Sequence, residues 1–411
     1  MNKRKIINDP IYGFITIPSD LIYDIIEHPY FQRLRRIKQL GLTDLVYPGA
    51  NHTRFHHALG AMHLMKITLD GLRNKGHFIY DSEYEAALIA ILLHDVGHGP
   101  FSHTLESALL NSVKHEDISL AIIKHLDQHF QGKLSFAQQV FKNEYPRKFL
   151  NQLVASQLDI DRLDYLKRDS FFTGVSEGTI GADRIIKMLN VVNDELVVEE
   201  KGIYSIENFL SARRLMYWQV YLHKTTICAE KMLIKVIQRA KELVRAGELD
   251  CPNTNLSLFL SSDYSISDFT NNSKVLDSYC SLDDMDVWGA MKLWVNHKDP
   301  ILKNLCQGII SRKLFQIRLL EKPPSEQHLE ELRGLIASQY QLSDNADYYL
   351  ATGKVSNAAY IPEGHINILA KSGQVVDVAE ATDLPNIQAM KKIVVKYYVC
   401  WPKEIEFAFT E

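Results

Sequence analysis

Imidazole and carboxylate side chains are concentrated in residues 93–115, which run LHDVGHGPFSHTLESALLNSVKH. Such groups occupy seven positions here and at the residue that follows: His94, Asp95, His98, His103, Glu106, His115 and Glu116. An apolar run ends at the His-Asp pair, glycines and a proline then break the helix, and a new helix begins near Ser102. This density at helix ends predicts a metal site with general acids beside it.

A second segment, VASQLDIDRLDYLKRDSFFTG, carries closely spaced acids. Asp161, Tyr165 and Asp169 follow one another at steps of four, so they share one face of the predicted helix. Like charges on one face repel each other unless a cation or a ligand offsets them. The pattern therefore indicates a functional site, and the alternative is an acidic helix balanced by its own arginines and lysine.

Two adjacent histidines, His56 and His57, follow Arg54 near the start of another predicted helix, RFHHALGAMHLMKITLDGL. Neighbouring residues lie about 100° apart around a helix, so both imidazoles cannot face one site. The pattern allows one histidine to be a ligand while the other is packed or exposed.

A basic run stands in a predicted helix from Tyr30 to Leu40. It consists of Arg33, Arg35, Arg36 and Lys38. The simpler interpretation is a solvated helix face, and the functional one is a clamp for phosphates.

The bulk composition bounds the class of protein. With 411 residues, 46% of them hydrophobic, the chain can bury a large core, and its net charge of −4 provides no basic field for nucleic acid. The five cysteines form no CxxC pair, which is typical of a reducing cytosol. We expect a cytoplasmic protein, because neither an apolar signal segment nor an apolar run of about 18 residues is visible.

The order histidine, His-Asp, distant Asp is filled by His57, His94, Asp95 and Asp161, and it resembles the ligand pattern of the HD-domain phosphohydrolases. The stretches NDPIYG, FQRLRRIKQLGLTDLVYPGANHTRFHHALG, HDVGHGPFSH and DIDRLDYLKRD are similar to the deoxynucleoside triphosphate triphosphohydrolase branch, over roughly residues 5–240. This branch includes dGTPases and the SAM-and-HD-domain dNTPases.

The resemblance implies a mainly α fold. We expect an HD-domain helical core with small β-hairpins in residues 1–248. An α+β appendage with a regulatory or oligomerisation role is expected in residues 249–411. Within the core, one long helix is predicted from about Ile206 to Ala246.

The resemblance also implies a reaction, the cleavage of a dNTP to a deoxynucleoside and inorganic triphosphate by water attack at the α-phosphorus. The four residues of the ligand pattern would hold one divalent metal, for which Mn, Fe, Zn or Ni suits mixed N/O ligation better than Mg. His103 would be the general acid and Glu106 its orienting carboxylate, while His98 and His115 would stabilise the phosphates.

Substrate contacts are carried over in the same way. The positions that match triphosphate or sugar contacts of the branch are Arg54, Gln39, Leu40, Arg162, Tyr165, Asp169, Arg213, Tyr221 and Lys224. Base preference stays open, with dGTP as one candidate.

A nucleotide effector and a homo-oligomer, either dimer or tetramer, are further expectations from the family. The positions that fall at the effector site of a vertebrate relative are Lys5, Asn8, Glu27, Gln32 and Arg35. No membrane is expected as a partner.

Two alternatives stay open. One is an HD phosphohydrolase for another nucleotide, although no GYP motif follows and Val96-Gly97-His98 stands where alarmone hydrolases carry acids. The other is a nucleotide sensor or nucleic-acid binder, which the basic run alone supports.

Overall fold

Helices dominate the fold of the protein, as a computed structural model shows for residues 5–110, 113–251, 254–342, 344–357, 360, 364–382 and 393–409. The prediction of a mainly α fold with small β parts is confirmed. In the described part of the chain, no helix is both long and apolar enough to cross a lipid bilayer.

The helices of the first 250 residues build the core around the histidine-rich stretch. They are α1 (Asp20–Glu27), α2 (Pro29–Gln32), α3 (Arg54–Asn74), α4 (Asp81–Leu93), α5 (His103–Leu110), α6 (His115–His129), α7 (Ser135–Phe141), α8 (Phe149–Val154), α9 (Ile160–Thr173), α10 (Ala182–Met188), α11 (Ile203–Met216) and α12 (Lys224–Arg245).

The remaining helices follow residue 250. They are α13 (Thr254–Ser261), α14 (Ile266–Asn271), α15 (Ser273–Tyr279), α16 (Asp284–Trp294), α17 (Pro300–Ile310), α18 (Glu326–Tyr340) and α19 (Val378–Ala381).

The strands form three small sheets among the described residues. They are β1 (Ile6–Asp9), β2 (Gly13–Thr16), β3 (Leu189–Val192), β4 (Glu195–Glu199), β5 (Gln316–Leu320), β6 (Ala351–Asn357), β7 (Asn367–Leu369), β8 (Val375–Asp377) and β9 (Val394–Trp401).

Strand β1 pairs with β2 in an antiparallel hairpin, in which Asn8 lies opposite Phe14. The order in the second sheet is β3-β4-β7-β8, so its parallel β4–β7 pair joins the core to the C-terminal part. The third sheet, β5-β9-β6, is antiparallel. Within the expected α+β appendage, residues 252–253, 343, 358–359, 361–363, 383–392 and 410–411 lie outside the described residues.

Helix α4 is the buried axis of the core, and it packs against α3 and α7. Every residue from Ala86 to Leu93 is buried, because the run is apolar on all sides. Helix α9 packs against α3 as well, so α3 lies between the two helices that supply the rest of the site.

The predicted helix from Tyr30 to Leu40 is wrong in its second half. Helix α2 ends at Gln32, one 3₁₀ turn follows at Arg33–Arg36, and Ile37 is extended. The prediction of a solvated basic face holds for Arg35 and Arg36, which are exposed, and is wrong for Arg33. The Arg33 side chain is buried and donates to the carbonyl oxygens of Val96 (2.8 Å) and Leu282 (3.2 Å).

The predicted single helix from Ile206 to Ala246 is divided in two. A π-helical turn, Tyr217–Tyr221, ends α11, with the Leu222 N–H donating to the Tyr217 carbonyl five residues earlier. His223 is extended and its Nδ1 accepts from the Thr225 N–H, which starts α12 as a new helix. Sequence periodicity continues through this break, so it does not reveal it.

Residues 277–286, which we call the clamp segment, pack against the histidine-rich stretch. Tyr279 donates its hydroxyl to the Gly97 carbonyl (2.9 Å). The Asp284 carboxylate accepts from the N–H groups of Phe101 (2.7 Å) and Lys38 (2.9 Å). A segment nearly 200 residues further along the chain thus fixes the loop that leads into α5.

The loop needs this support because Phe101 and Ser102 are both left-handed, with φ values of 55° and 54°. Side chains other than glycine adopt this conformation only when surrounding contacts compensate for the strain. The N–H of Phe101 is held by Asp284, and the Ser102 hydroxyl donates to the Lys38 carbonyl at 3.2 Å.

We expect Asp284→Ala to lower the free energy of unfolding by roughly 2–4 kcal/mol, because two buried N–H groups lose their acceptor. Chemical denaturation monitored by circular dichroism measures the change. Lys292→Ala, at an exposed position on the same helix, is the control and should change stability by less than about 0.5 kcal/mol. Equal effects of the two substitutions would contradict the clamp.

Candidate metal and phosphohydrolase site

Four ligand side chains meet where α3, the end of α4 and the start of α9 converge. His57 Nε2 lies 3.0 Å from Asp161 Oδ1 and 3.3 Å from His94 Nε2. His94 Nε2 lies 3.4 Å from Asp161 Oδ1 and 3.5 Å from Asp95 Oδ1. The structure therefore brings together all four residues of the ligand pattern.

These distances suit a single cation. Ligand atoms about 2.0–2.2 Å from one ion lie roughly 3–3.5 Å from one another. The free ring nitrogens of His57 and His94 and one oxygen of Asp161 converge within this range. Two imidazoles and two carboxylates could hold a divalent metal, and this donor set does not distinguish among transition metals.

The other ring nitrogen of each histidine is occupied, which fixes the tautomer that the cation needs. His94 Nδ1 donates to the Ile91 carbonyl (2.6 Å), and His57 Nδ1 donates to Asp164 Oδ2 (2.8 Å). Nε2 is thus the atom of each ring that would give its lone pair to a cation once its own proton has been displaced.

Asp164 belongs to a buried chain of alternating charges behind the site. Its carboxylate accepts two bonds from Arg168 (2.9 and 3.0 Å), which also donates to Asp9 Oδ2 in β1 (2.8 Å). Gly60 in α3 makes room for this pair, because a Cβ there would lie 2.1 Å from both Asp164 Oδ1 and Arg168 Nη2. Helix α3 therefore needs a glycine where it crosses α9.

The carboxylates of Asp161 and Asp164 favour a positive charge at His57. Burial disfavours a charged imidazole, but hydrogen bonds to Asp161 and Asp164 overcome it and raise the pKa of His57 to about 10. Burial likewise opposes ionisation of Asp161, yet His57 and His94 hold its pKa well below the usual range. An incoming metal ion would replace the proton on His57, so binding should release protons.

A second cluster, of three imidazoles, adjoins the ligand set through Asp95. His98 Nδ1 lies 3.4 Å from Asp95 Oδ1, and its ring centroid is 3.8 Å from that of His115 and 4.8 Å from that of His103. Burial and the nearby Arg54 hold the pKa of His98 well below its ordinary value, so this imidazole is neutral.

Glu106 ties two of these imidazoles together. Its carboxylate lies 3.3 Å from Nδ1 of both His103 and His115, and it accepts the His115 N–H at 3.0 Å. Burial opposes its ionisation, but hydrogen bonds from His103 and His115 depress the pKa of Glu106. The His103 side chain is 69% exposed, so this ring can reach a bound molecule and exchange a proton with it.

The four candidate cationic side chains differ in burial and in hydrogen-bond partners. Arg54 is buried, pairs with Asp95 and donates from Nε to the Ser102 hydroxyl (2.8 Å). Arg213 is 4% exposed, and its Nε and Nη1 have no hydrogen-bond acceptor among the described residues. Arg162 is bound to Asp159 and the Ser156 carbonyl, whereas Lys224 is exposed on the first turn of α12.

A third group of polar side chains lies further along α9. Asp169 follows Asp161 by eight residues on the same helix face, about 12 Å along the axis. Its Oδ2 accepts from the Tyr221 hydroxyl at 2.7 Å. The Tyr165 ring lies 6.0 Å from that of Tyr221. Gln39 is half-buried, and its Oε1 has no hydrogen-bond partner in the part of the chain that the structure describes. Burial and Asp169 raise the pKa of Tyr221, so its hydroxyl stays a donor.

Two of the five candidate effector residues, Gln32 and Arg35, contact each other directly. A hydrogen bond to Tyr23 and the charge of Glu27 raise the pKa of Lys5. Lys5 Nζ donates to the Tyr23 hydroxyl at 2.8 Å, and Asn8 lies in β1. Arg35 donates to the Gln32 side chain at 2.8 Å, and Glu27 ends α1.

Several residues that support the site are absent from the sequence-based prediction. They are His52, Asp164 with Arg168 and Asp9, and Asp284 with Tyr279 of the clamp segment. The spacing Asp164–Arg168, four apart on a helix, was a detectable signal for an ion pair. No local pattern marks the others, because their partners are distant in sequence.

Two protein-family models match consecutive parts of the core. The HD domain matches residues 54–169, and the HD associated region matches residues 180–255. Together with the ligand geometry and the relatives described next, these matches show that the chain belongs to the HD-domain phosphohydrolase family.

Full-length likeness supports this assignment. The crystal structure of a phosphohydrolase from Bacteroides thetaiotaomicron is 52% identical, with a TM-score of 0.93 over 97% of this chain and 99% of that one. Uncharacterized protein YwfO of Bacillus subtilis is 32% identical over 98% of this chain and 94% of its own length.

A deoxynucleoside triphosphate triphosphohydrolase SAMHD1 homolog of Dictyostelium discoideum is 32% identical over 62% of this chain. The match spans about half of that relative, 53% of its length. The family therefore includes a relative that is named for an activity on deoxynucleoside triphosphates. The match does not show which substrate this chain uses.

We expect Asp164→Asn to weaken metal binding about 10- to 100-fold, because it alters the partner that orients His57. Calorimetric titration of the metal-free protein with Mn²⁺ measures the affinity. Asp183→Asn, an exposed position in α10, is the control and should leave the affinity unchanged. An unaltered affinity in Asp164→Asn would show that the buried charge chain does not support the cation.

Proposed function

We propose that the protein hydrolyses deoxynucleoside triphosphates to the deoxynucleoside and inorganic triphosphate. The observation that carries this proposal is the junction of two clusters at Asp95. On one side of Asp95 lies a ligand set suited to one cation, and on the other lies His103 backed by Glu106. The cluster geometry suits a reaction that needs charge stabilisation at phosphorus and a proton for the leaving oxygen.

Binding of the triphosphate is assigned to the cationic and neutral imidazole groups around this junction. Arg213 offers two guanidinium nitrogens that no described residue accepts from, and Arg54 is held by Asp95 and Ser102. His98 and His115 present further donors once a phosphate enters. Fixed donors of this kind bind phosphate oxygens without reorganisation when substrate arrives.

The general acid in this proposal is His103. Its ring is exposed enough to meet the 5′-oxygen, and the Glu106 carboxylate, 3.3 Å from Nδ1, orients the ring. Proton donation to the leaving oxygen would let the deoxynucleoside depart as a neutral alcohol. Glu106 acts through His103 and is therefore a positioning residue.

A divalent cation held by His57, His94, Asp95 and Asp161 would polarise a phosphate oxygen and favour attack at phosphorus. Asp169 and Tyr221 would bind the sugar, about 12 Å further along α9. Tyr165, Gln39 and Leu40 complete the proposed sugar side, while Arg162 and Lys224 are further phosphate contacts. Among these, Arg162 must share its guanidinium with Asp159.

The test is product analysis with each of the four dNTPs in the presence of Mn²⁺. We expect a deoxynucleoside and triphosphate, resolved by ion chromatography. Release of pyrophosphate or of orthophosphate would contradict attack at the α-phosphorus with the deoxynucleoside 5′-oxygen as the leaving group. Turnover of nucleoside monophosphates alone would favour another substrate for the same site.

We expect His103→Ala to lower kcat about 10²- to 10⁴-fold while retaining dNTP binding, because general acid catalysis contributes in this range. Single-turnover rates and equilibrium binding by calorimetry separate the two effects. His129→Ala, at the exposed far end of α6, is the matched control and should retain full activity. A His103→Ala protein with unchanged kcat would remove this residue from the reaction.

Regulation by a nucleotide is proposed at Lys5, Asn8, Glu27, Gln32 and Arg35, together with a homo-oligomer. The support is the resemblance and the position of Asn8 directly before Asp9, which belongs to the charge chain behind His57. Adding GTP or dGTP to the assay, with the mass of the assembly followed by light scattering, tests both. Activity and mass that do not respond would exclude an effector of this class.

A further inference from the structure

His52 is a buried histidine that neither the motif nor the metal chemistry accounts for. Its side chain is fully buried, and its Nε2 lies 2.7 Å from Asp169 Oδ1. The ring stacks on Phe172, with centroids 4.6 Å apart and planes inclined by 17°. A ring held on one face and bonded at one edge has a fixed orientation.

The carboxylate of Asp169 is held from two sides. His52 occupies Oδ1 and the Tyr221 hydroxyl occupies Oδ2, both at 2.7 Å. An ionised carboxylate has about four acceptor positions, so two remain available after these bonds form. Because Asp169 itself is 1% exposed, those positions can be used only by a group that enters the site.

Two buried polar atoms on His52 and its backbone neighbour Gln39 have no hydrogen-bond partner among the described residues: His52 Nδ1 and Gln39 Oε1. The two residues are joined through the backbone, since the Gln39 N–H donates to the His52 carbonyl at 3.0 Å. An unsatisfied buried polar atom is unfavourable, and a ligand that supplies a hydrogen-bond partner removes this cost. A small polar ligand with hydroxyl groups matches these acceptors.

We propose that His52 is a positioning residue for sugar recognition: it holds Asp169 in the orientation that accepts the 3′-hydroxyl of the deoxyribose. This inference rests on the proposed function, and it adds a residue to the sugar side of that site. The tautomer follows from the contact, because Nε2 must donate to a carboxylate and Nδ1 is then a bare acceptor when the ring is neutral.

The arrangement makes the 3′-hydroxyl a specificity element. A site built to accept a hydroxyl hydrogen bond discriminates strongly against an analogue that lacks it, since the buried carboxylate is then left without that donor. Loss of the His52 donor would let Asp169 turn, so the enzyme would lose its preference for a nucleotide with a 3′-hydroxyl. The Tyr221 bond alone fixes one oxygen and leaves the carboxylate free to rotate about it.

The experiment compares each dNTP with its 2′,3′-dideoxy analogue, in kcat/KM and in dissociation constant. We expect His52→Leu, which removes the donor at similar volume, to lower kcat/KM for the dNTP about 10-fold or more, as for a hydrogen bond to a charged group. The dideoxy analogue should change by less than about 2-fold, so the ratio between the two nucleotides collapses. The change should appear mainly in KM, because the reacting atoms are untouched.

Two further variants separate this role from packing. His52→Gln retains an amide N–H where Nε2 stands, and it should restore a large part of the dNTP/dideoxy ratio. Phe172→Leu removes the stacked ring and keeps the donor, so it should leave the ratio unchanged even where stability falls. Thermal unfolding of each variant confirms that it is folded.

Equal losses for dNTP and dideoxy nucleotide in His52→Leu, or a wild-type protein that does not distinguish the two, would overturn the proposal. A wild-type protein that binds dNTPs more tightly than the dideoxy analogues without releasing triphosphate would instead overturn the proposed function. In that case the binding ratio of the His52 variants still decides the role of His52. The two failures therefore have different signatures.

Discussion

Burial of charge behind the ligand histidine is the constraint on which the rest of the structure depends. An unpaired ion in a protein interior is costly, so each buried charge here has a partner. Asp9 pairs with Arg168, Arg168 also pairs with Asp164, and Asp164 accepts from His57. When the final imidazole offers its lone pair, the two carboxylates outnumber the single guanidinium by one negative charge, which a bound cation would offset. Position 60 requires a glycine because any side chain there would separate Asp164 from Arg168 and break their ion pair.

The site is assembled from segments that are far apart in sequence and have different tasks. The start of α3 and the end of α4 supply the histidine ligands, and α9 extends from the cation toward the sugar side. The clamp segment contributes no ligand, but it holds the loop between the ligands and His103. Because buried residues of the clamp segment hold the loop, the reactive ring of His103 can stay exposed and still be positioned.

Much of the core could be predicted from the sequence, because its signals are local. The apolar run before His94 forms the buried helix α4, which ends at the His-Asp pair. Prediction of the four converging ligands depended on the family resemblance, since periodicity alone does not bring α3, α4 and α9 together. The burial of Arg33 and the π-helical turn at Tyr217–Tyr221 were missed for a physical reason: both depend on contacts with distant residues, which override local propensity.

The salt bridge from β1 to α9 has a consequence for handling the protein. Proteolytic trimming or a cloning design that removes residues through Asp9 would leave the guanidinium of Arg168, which is fully buried, short of one acceptor. Asp164 would then be the remaining carboxylate for the charge of Arg168. A shift of Asp164 toward Arg168 would weaken its hydrogen bond to His57, whose imidazole it orients. A shortened preparation could therefore be well folded and still be poorly loaded with metal, so the amino-terminal hairpin belongs in any preparation used to judge activity.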